Sequence, residues 1–293
     1  MSLVEKVAVT IKSLLLTVFY IFKLLFSNER LLKGKRGLIV SLTSYGPRVK
    51  FAFLTIESIF NQALKPDAIV LWLYKDDKPK GIWLKILERQ VKRGLIVKYI
   101  DVDVRSFKKL SFVLDDKFFS RADFIVTADD DVFYPYRWLQ GFNEYYSGNN
   151  KPAVLCYRAR NIKLDVSGGK FSYKYWELAN KENISKYGIL PTGVSGICYP
   201  REALDKSISL FDVISEICPY ADDIWYKMVT TKNKFPSKLI VDNSVHFTPV
   251  FTGFTKGLER FNVLNELNDK QFIASMEYFK LNADNFLLCR DDT

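Results

Sequence analysis

Short apolar runs alternate with segments of helical periodicity between residues 37 and 157, and this alternation is what most constrains the fold. In the intervening segments apolar residues recur at spacings of three and four, as on an amphipathic helix. Strands that alternate with helices build a mainly parallel sheet with helices on both faces, so the sequence predicts an α/β fold. The predicted strands are 37–42, 68–74, 95–100, 124–127 and 153–157, and the predicted helices are 51–62, 82–93, 107–119 and 135–146.

The second half of the chain is less regular. Residues 161–188 are rich in Lys, Tyr, Ser and Gly, a composition that predicts a long loop. A loop containing two glycines, 192–196, precedes the apolar run 197–199. Further helices are predicted at 201–217, 221–231 and 270–288, and a late strand at 238–241.

Three adjacent carboxylates, Asp129, Asp130 and Asp131, follow the fourth predicted strand directly. Adjacent anions repel each other, and a bound cation would offset that repulsion. Because residues i and i+2 of an extended chain point the same way, Asp129 and Asp131 can face one site while Asp130 turns aside. Their oxygens suit Mg2+ or Mn2+. The alternative is an acidic turn, although such turns usually include Gly, Asn or Ser, which this one lacks.

Polar residues also follow other predicted strands. Residues 43–48 come after the first strand, and Asp101, Asp103 and Arg105 come after the third. In parallel sheets of this kind ligands bind outside the carboxyl ends of the strands. The shared placement favours a functional role for the aspartate triplet.

A second acid pair, Asp222 and Asp223, stands at the start of an apolar helical run. Acids in the first turn of a helix complement its dipole, which is a purely structural explanation. A carboxylate held at a helix start can also take a proton from a hydroxyl as a general base. Both interpretations remain open on the sequence.

Three basic residues are further candidates. His246 is the only histidine, and a neutral imidazole is a good Mn2+ ligand, although an ordinary hydrogen-bonded histidine explains it as well. Lys109 lies near the start of a predicted helix, where it can meet a diphosphate or form part of a solvated charge pair. Arg48, after the first strand, has the same two interpretations.

The net charge of +10 is uneven, since residues 1–36 carry seven basic residues against two acidic ones. A spanning helix needs about 20 apolar residues, and Lys12 and Lys23 interrupt the apolar segment 7–26. The two lysines share one helix face, which favours an amphipathic helix in the plane of an anionic membrane, followed by the basic segment 30–36. A spanning helix and a helix packed on the protein's own core are the alternatives. The opposite face carries Val7, Leu14, Val18, Ile21 and Leu25.

The remaining composition excludes other classes. The four cysteines show no CxxC spacing and only one histidine is present, so a zinc site is not expected. Buried free thiols in a protein of a reducing compartment are the expectation instead. Because the lysines of the N-terminal segment are embedded in apolar sequence, nucleic acid is not an expected partner. The cysteines are Cys156, Cys198, Cys218 and Cys289.

The order of these features resembles that of the metal-dependent GT-A glycosyltransferases, whose hallmark is an Asp-x-Asp motif after a strand. More narrowly, the chain is similar to the family 2-like glycosyltransferases of bacterial capsule and surface-polysaccharide clusters. The similarity covers roughly residues 37–250 and is carried by segments 41–48, 55–59 with Gln62, 109–110, 127–135, 193–200 and 221–225.

The resemblance implies a GT-A (Rossmann-like) fold, a nucleotide-sugar donor, usually a UDP-sugar, and Mn2+ or Mg2+. The membrane-associating segment, 1–36, follows from its own residues, and the glycosyltransferase domain is assigned to 37–293. Within that domain, 37–158 is the nucleotide-sugar-binding half and 159–293 the acceptor-binding half. The implied acceptor is a glycan or a lipid-linked saccharide at the cytoplasmic face of the bacterial inner membrane, in capsule or lipopolysaccharide synthesis.

The resemblance also assigns roles to residues. Asp223, or else Asp222, is the implied catalytic base, in a single displacement that inverts the anomeric configuration. The implied metal ligands are Asp131, Asp129 and His246. The implied donor-binding residues are Thr43, Tyr45, Arg48, Asp101, Lys109, Asp129, Asp130, Gly193 and Gly196.

Two other classes stay open. A sugar-phosphate nucleotidyltransferase shares strand-end carboxylates, but it normally has a glycine-rich phosphate loop after the first strand, and 43–48 contains a single glycine. A membrane-associated carbohydrate-binding protein would bind glycans without turning over a nucleotide sugar.

Overall fold

The computed structural model describes residues 2–31, 37–117, 119, 122–148, 150–164, 172–181, 187–251 and 267–287. Its main element is a seven-stranded sheet with helices packed on both faces. The helices are α1 Leu3–Phe26, α2 Ala52–Phe60, α3 Ile82–Lys92, α4 Lys108–Ser111, α5 Trp138–Ser147, α6 Phe211–Ile217, α7 Asp222–Lys232, α8 Leu267–Tyr278 and α9 Asp284–Leu287. The strands are β1 Leu38–Thr43, β2 Ala68–Tyr74, β3 Leu95–Ile100, β4 Phe124–Ala128, β5 Val132–Phe133, β6 Val154–Cys156, β7 Ala159–Asn161, β8 Ile189–Pro191, β9 Ile197–Pro200, β10 Ser237–Leu239 and β11 Thr248–Pro249.

The large sheet has the strand order β10-β6-β9-β4-β1-β2-β3. All neighbouring pairs are parallel except those of β9, which runs antiparallel to both β4 and β6. The predicted mainly parallel α/β fold is therefore confirmed. Two small ladders, β5 with β11 and β7 with β8, lie beside it.

The central strands are buried on both faces, which explains their nearly continuous apolar sequence. On β1, Ile39 packs in one core with side chains of α4, α7 and α8, whereas its neighbour Val40 packs in a second core with α2, α3 and α5. Because side chains alternate along a strand, the central strands of the sheet contribute residues to two hydrophobic cores, one on each face.

Three predicted helices are shorter than their apolar patterns indicate. The helix expected at 107–119 ends at Ser111, and Asp115 and Asp116 follow, where acids oppose the negative end of the helix dipole. The helix expected at 201–217 begins only at Phe211, because the Asp205 side chain accepts a 2.8 Å hydrogen bond from the Ser207 N–H and starts a separate 3-10 turn. The helix expected at 270–288 ends at Tyr278, before Lys280, which has a φ of 54°. Leu288 lies outside the described residues.

The N-terminal helix α1 is confirmed as a helix, with a capping box formed by Ser2 and Glu5. One stripe, with Ser13, Tyr20 and Leu24, is buried against the rest of the protein. By length and composition alone α1 is able to cross a membrane. Most of its surface is apolar and exposed, at Leu3, Val4, Val7, Ile11, Leu14, Leu15, Val18, Phe19, Ile21, Phe22, Leu25 and Phe26.

Of the four cysteines, Cys156, Cys198 and Cys218 are buried free thiols, as the sequence predicts. Burial raises the pKa of the Cys156 and Cys218 thiols to about 12. These thiols therefore stay protonated and act as small apolar side chains. Cys289 and most of the basic segment 30–36 lie outside the described residues.

Candidate active site

Several chain segments converge at one edge of the large sheet. Strands β1, β4 and β6 are mutually parallel, so their carboxyl ends lie together, and antiparallel β9 begins at the same edge. The residues after β1 and β4 and the loop before β9 include most of the predicted site residues. This edge is where a parallel sheet binds ligands.

Lys109 lies at the centre of the converging groups. Its side chain is 5% exposed, and its Nζ is 2.9 Å from Asp129 Oδ1 and 3.0 Å from Asp222 Oδ2. Burial alone would lower the pKa of Lys109, but the negative charges of Asp129, Asp222 and Asp223 outweigh it and raise the pKa well above its usual value. The structure therefore holds a permanent ammonium group among three carboxylates.

The backbone of Lys109 is fixed from the neighbouring strands. The Ser41 hydroxyl on β1 donates a hydrogen bond to the Lys109 carbonyl, and the Trp72 indole N–H on β2 donates a 2.9 Å bond to the same hydroxyl. All three residues are buried, so these bonds are protected from water. This chain of bonds ties the short helix α4 to the sheet and aims its lysine at the site.

Asp223, in the first turn of α7, has two oxygens in different environments. Oδ2 accepts a 2.9 Å hydrogen bond from the Gly193 N–H, whereas buried Oδ1 has no hydrogen-bond donor among the described residues. Burial and the charge of Asp222 raise the pKa of Asp223 to about 7, with Lys109 acting in the opposite direction. A carboxylate with a free oxygen and a pKa near neutrality is suited to general-base catalysis.

Gly193 occupies a position that a side chain would fill. A Cβ built on it would lie 2.9 Å from Lys109 Nζ, 3.2 Å from Asp223 Oδ1 and 3.5 Å from Asp129 Oδ1. All three charged groups therefore approach the Gly193 backbone closely, and a side chain at this position would crowd them. The sequence identified this glycine, but only the structure gives the reason for it.

Asp130 has a different partner from Asp129, which pairs with Lys109, but it shares Arg48 with Asp131. The predicted arrangement, with Asp129 and Asp131 together and Asp130 turned aside, is therefore not the one that the ion pairs of the described residues show. The Asp130 carboxylate pairs with the Arg48 guanidinium and accepts a hydrogen bond from the Ser44 hydroxyl, and the residue is only 5% exposed. Asp130 thus fastens the β4 loop to the β1 loop. Its implied contact with a donor stays a prediction, and that contact would require this ion pair to open.

Asp131 is the most exposed member of the triplet. Its Oδ2 lies 2.9 Å from Arg48 Nη2, and its side chain is 38% exposed. Burial, together with the charges of Asp129 and Asp130, raises the pKa of Asp131 to about 6, although Arg48 acts in the opposite direction. One arginine is therefore shared by two carboxylates and neutralises Asp131 incompletely.

His246 is exposed, and its Nδ1 lies 2.8 Å from the Phe247 carbonyl oxygen. Burial raises the pKa of Asp129, but Lys109, with Arg48 and His246, reverses the effect and holds the pKa below its usual value. His246 is thus close enough to Asp129 to influence it electrostatically. No contact of its other ring nitrogen, Nε2, is found among the described residues.

The oxygen atoms of Asp129 and Asp131 suit a hard divalent cation whose other ligands come from a bound substrate. Asp129 and Asp131 are partly exposed carboxylates, and Mg2+ or Mn2+ is commonly held by one or two carboxylates together with substrate phosphates. In the part of the chain that the structure describes, no three or more His, Cys, Asp or Glu side chains form a preassembled metal cage. The carboxylates alone would therefore bind such an ion weakly, and a diphosphate would complete the shell.

The other predicted donor-binding residues extend the site along the sheet edge. Tyr45 is exposed and packs against Arg48, whose guanidinium carbon lies 5.4 Å from the ring centre. The Thr43 hydroxyl donates a 2.8 Å bond to the Trp72 carbonyl. Asp101 follows the edge strand β3, is largely exposed and lies 3.3 Å from Lys75. No described contact joins Asp101 to Lys109 or to the carboxylates around it.

Gly196 has a packing explanation. Its φ is 82°, and a Cβ there would lie 2.4 Å from the Trp138 ring. Left-handed backbone and close approach of an indole both favour glycine. A contact between Gly196 and a donor stays a prediction.

The residues that hold the β4 loop from behind lie in segments that carry the resemblance, 55–59 with Gln62 and 127–135, but the sequence assigned them no role. The Tyr134 hydroxyl accepts a 2.8 Å bond from the Asp129 N–H, and the Tyr134 N–H donates a 3.0 Å bond to the Ser58 hydroxyl. Thr55 exchanges hydrogen bonds with the Val132 backbone, and the Gln62 amide donates to the Pro135 carbonyl. Polar residues at 55, 58 and 62 on an otherwise apolar helix face were the available signal.

No family model and no curated protein matches the chain. Among solved structures it resembles the mannosyltransferase PcManGT from Pyrobaculum calidifontis in complex with GDP-Man and Mn2+, with a TM-score of 0.49 and 10% identity over 92% of this chain and 74% of that one. It also resembles S. aureus TarS 1-349, with a TM-score of 0.43 and 13% identity over 87% and 75%. A third is the 4-diphosphocytidyl-2C-methyl-D-erythritol synthase of Anaerococcus prevotii, with a TM-score of 0.34 and 12% identity over 84% and 83%. These names describe those proteins, and what this chain does depends on its own residues.

Proposed function

We propose that the protein is a metal-dependent glycosyltransferase that moves a sugar from a nucleotide-sugar donor to a hydroxyl of a glycan or lipid-linked acceptor. The observation that carries the proposal is the convergence of Lys109, Asp129, Asp223 and Gly193 at the ligand edge of the sheet. This reaction needs a site for a diphosphate leaving group and a separate base. The site has groups for both.

Lys109, Asp129 and Asp131 belong to the diphosphate side of the proposed site. Asp129 and Asp131 would hold Mn2+ or Mg2+ with His246, and the ion when bound would supply charge neutralisation to the leaving diphosphate. Lys109 contributes a fixed positive charge beside them. The nucleoside, for which uridine is our expectation, would lie along Thr43, Tyr45, Arg48 and Asp101, with Asp130, Gly193 and Gly196 as further donor contacts.

Asp223 is the proposed base. Its neighbour Asp222 has Oδ2 in a 3.0 Å ion pair with Lys109 Nζ, whereas Asp223 Oδ1 has neither an ion pair nor a hydrogen bond among the described contacts. Asp223 Oδ1 accepts the proton of the acceptor hydroxyl while the oxygen of this hydroxyl bonds to the anomeric carbon of the donor sugar. The bond from this carbon to the diphosphate oxygen breaks at the same time, releasing a nucleoside diphosphate. One displacement inverts the anomeric configuration.

The released product separates this proposal from its rivals. A panel of nucleotide sugars with Mn2+ should yield a nucleoside diphosphate, by slow hydrolysis or by transfer to a sugar acceptor. Release of pyrophosphate from a nucleoside triphosphate and a sugar phosphate would identify a nucleotidyltransferase instead. Glycan binding without any turnover would identify a carbohydrate-binding protein. A product that keeps the anomeric configuration of the donor would contradict the single displacement.

We propose in addition that α1 associates with the anionic cytoplasmic face of the bacterial inner membrane, where lipid-linked acceptors of surface-polysaccharide synthesis are found. The exposed apolar surface of α1 and its exposed Lys6 and Lys12 support this location. The full-length protein should float with vesicles that contain phosphatidylglycerol and float less with pure phosphatidylcholine vesicles. Equal recovery with both would contradict a role for anionic lipid.

A further inference from the structure

Helix α1 is attached to the protein by specific contacts, which a simple membrane tether does not need. The Ser13 hydroxyl donates a 2.7 Å hydrogen bond to the Pro249 carbonyl, and Ser13 is only 2% exposed. The Tyr20 ring stacks on the Phe133 ring, with 5.3 Å between their centres and 16° between their planes. The Arg89 guanidinium donates to carbonyls at the C-terminal end of the helix, including a 2.8 Å bond to Leu25. Burying a hydroxyl is favourable only when it is hydrogen-bonded, so Ser13 fixes one orientation of the helix.

The contacts of Ser13 and Tyr20 lie on the ladder that continues from the proposed metal ligands. Phe133 pairs with Thr248, and Val132 pairs with Pro249, in the antiparallel ladder of β5 and β11. Strand β5 begins directly after Asp131, and β11 begins two residues after His246. The Val250 N–H closes the ladder with a 2.7 Å bond to the Asp131 carbonyl. Ser13 is therefore connected to the backbone of Asp131 by two hydrogen bonds, one to Pro249 and one from the next residue, Val250.

The face of α1 that points away from the ladder is apolar and exposed. Leu14 and Val18 are about half exposed, at 46% and 54%, and they belong to a continuous apolar surface along the helix. Lys12, between the two faces, is exposed. An apolar surface bordered by lysines fits a bilayer with anionic headgroups. The helix therefore has one face for the ladder and one for lipid.

We infer that α1 is a positioning element of the proposed site: its Ser13–Tyr20 face holds the β5–β11 ladder, and through it Asp131 and His246, while its outer face rests on an anionic bilayer. This inference rests on the proposed metal-dependent function. It places the metal side of the site next to the membrane surface. The acceptor class that fits this placement is a saccharide carried on a membrane lipid, because its sugar reaches the site while its lipid stays in the bilayer.

The test separates the two faces of α1 in the full-length protein. A double variant of the inner face, Ser13→Ala with Tyr20→Leu, removes the contacts to the ladder. A double variant of the outer face, Leu14→Gln with Val18→Gln, removes apolar surface only. Thr10→Ala is the matched control for Ser13→Ala, because the one hydrogen bond described for the exposed Thr10 hydroxyl goes to the Lys6 carbonyl of its own helix.

Three measurements apply to every variant: Mn2+ affinity in the presence of UDP by electron paramagnetic resonance, amide exchange at Val250, and flotation with phosphatidylglycerol–phosphatidylethanolamine vesicles. The inner-face variant should bind Mn2+ at least about fivefold more weakly, with faster exchange at Val250. Its flotation should be retained. The outer-face variant should lose flotation and keep the Mn2+ affinity of the unaltered protein, and Thr10→Ala should change nothing.

Each contrary result has a separate meaning. Unchanged Mn2+ affinity and unchanged Val250 exchange in the inner-face variant would overturn the inference and leave the proposed function standing. Unchanged flotation of the outer-face variant would overturn the assignment of that face to lipid. If the unaltered protein bound no Mn2+ in the presence of UDP, the proposed function would fail, and the inference with it.

Discussion

Lys109 Nζ lies 3.0 Å from Asp222 Oδ2, and this ion pair joins the region after β3 to the start of α7. The same ammonium is 2.9 Å from Asp129 Oδ1 after β4. One buried cation therefore connects the aspartate triplet to the acid pair, two motifs that are separated by about 90 residues. Lys109 therefore holds the proposed leaving-group site close to the acid pair that contains the proposed base.

Replacing Lys109 by Met should destabilise the protein strongly. The change leaves Asp129 and Asp222 without their shared cation, and removing one partner of a buried ion pair costs roughly 3–5 kcal/mol. Lys108→Met is the matched control, since Lys108 is equally buried but, among the described contacts, pairs only with the more exposed Asp103. Urea unfolding should show the larger loss for Lys109→Met, and equal losses would contradict the central role of Lys109.

Replacing Gly193 by Ala should impair the site more than the fold. The new Cβ would lie 2.9 Å from Lys109 Nζ, so the lysine has to move away from Asp129 and Asp222. Transfer or donor hydrolysis should fall at least about tenfold, which corresponds to ~1.4 kcal/mol. The control is Gly148→Ala, at a glycine with no positive φ whose nearest contact is the movable Asn150 side chain. Equal activity of the two variants would contradict the arrangement around Gly193.

The rate of transfer at saturating Mn2+ should depend on the ionisation of Asp223. Its pKa of about 7 means that the base is protonated below neutrality and free above it. The rate should therefore rise as the pH is raised through neutrality and reach a plateau above it. Asp223→Asn should abolish transfer across the whole range, and an unaltered pH profile in this variant would exclude Asp223 as the base.

Lys227, one turn beyond Asp223 on α7, should be a site where a mutation stabilises the protein. It is 2% exposed, its Nζ lies 3.1 Å from the Ser237 hydroxyl, and burial lowers its pKa to about 7. Between pH 7 and the ordinary lysine pKa the unfolded chain binds more protons than the folded one, so stability rises with pH there. Lys227→Met removes the cost of burying the amine and should add roughly 1–3 kcal/mol at pH 7. The gain should shrink as the pH rises from 7 to 9, which unfolding curves at both values would measure.

The sheet and its functional edge could be predicted because their signals are local. Continuous apolar runs marked strands β1 to β4, and the acids that directly follow β4 marked the ligand edge. Antiparallel β9 could not be recognised in this way, because an apolar run such as 197–199 carries no information about strand direction. The helix α4 was predicted, but its end was predicted wrongly, because the apolar pattern continues to 119 although the helix ends at Ser111.

Contacts between distant residues account for the rest. That Arg48 pairs with both Asp130 and Asp131 depends on β1 and β4 lying side by side, which only the folded sheet establishes. The sequence placed Gly193 in a loop near the site, but the close approach of Lys109 and Asp223, which come from other segments, is visible only in the folded chain. For α1 the sequence left three arrangements open, and the structure packs one stripe of the helix while leaving its apolar surface exposed.

The most direct test of the account is the release of nucleoside diphosphate from a nucleotide-sugar panel by the unaltered protein and by Asp131→Asn. Asp242→Asn is the control, because Asp242 is largely exposed and pairs only with Lys181 among the described contacts. The unaltered protein and the control should turn over at least one donor with Mn2+ and stop when EDTA removes the metal. Asp131→Asn should remain folded and show no Mn2+-dependent turnover. Full Mn2+-dependent turnover by Asp131→Asn would contradict the proposed metal site and the function built on it.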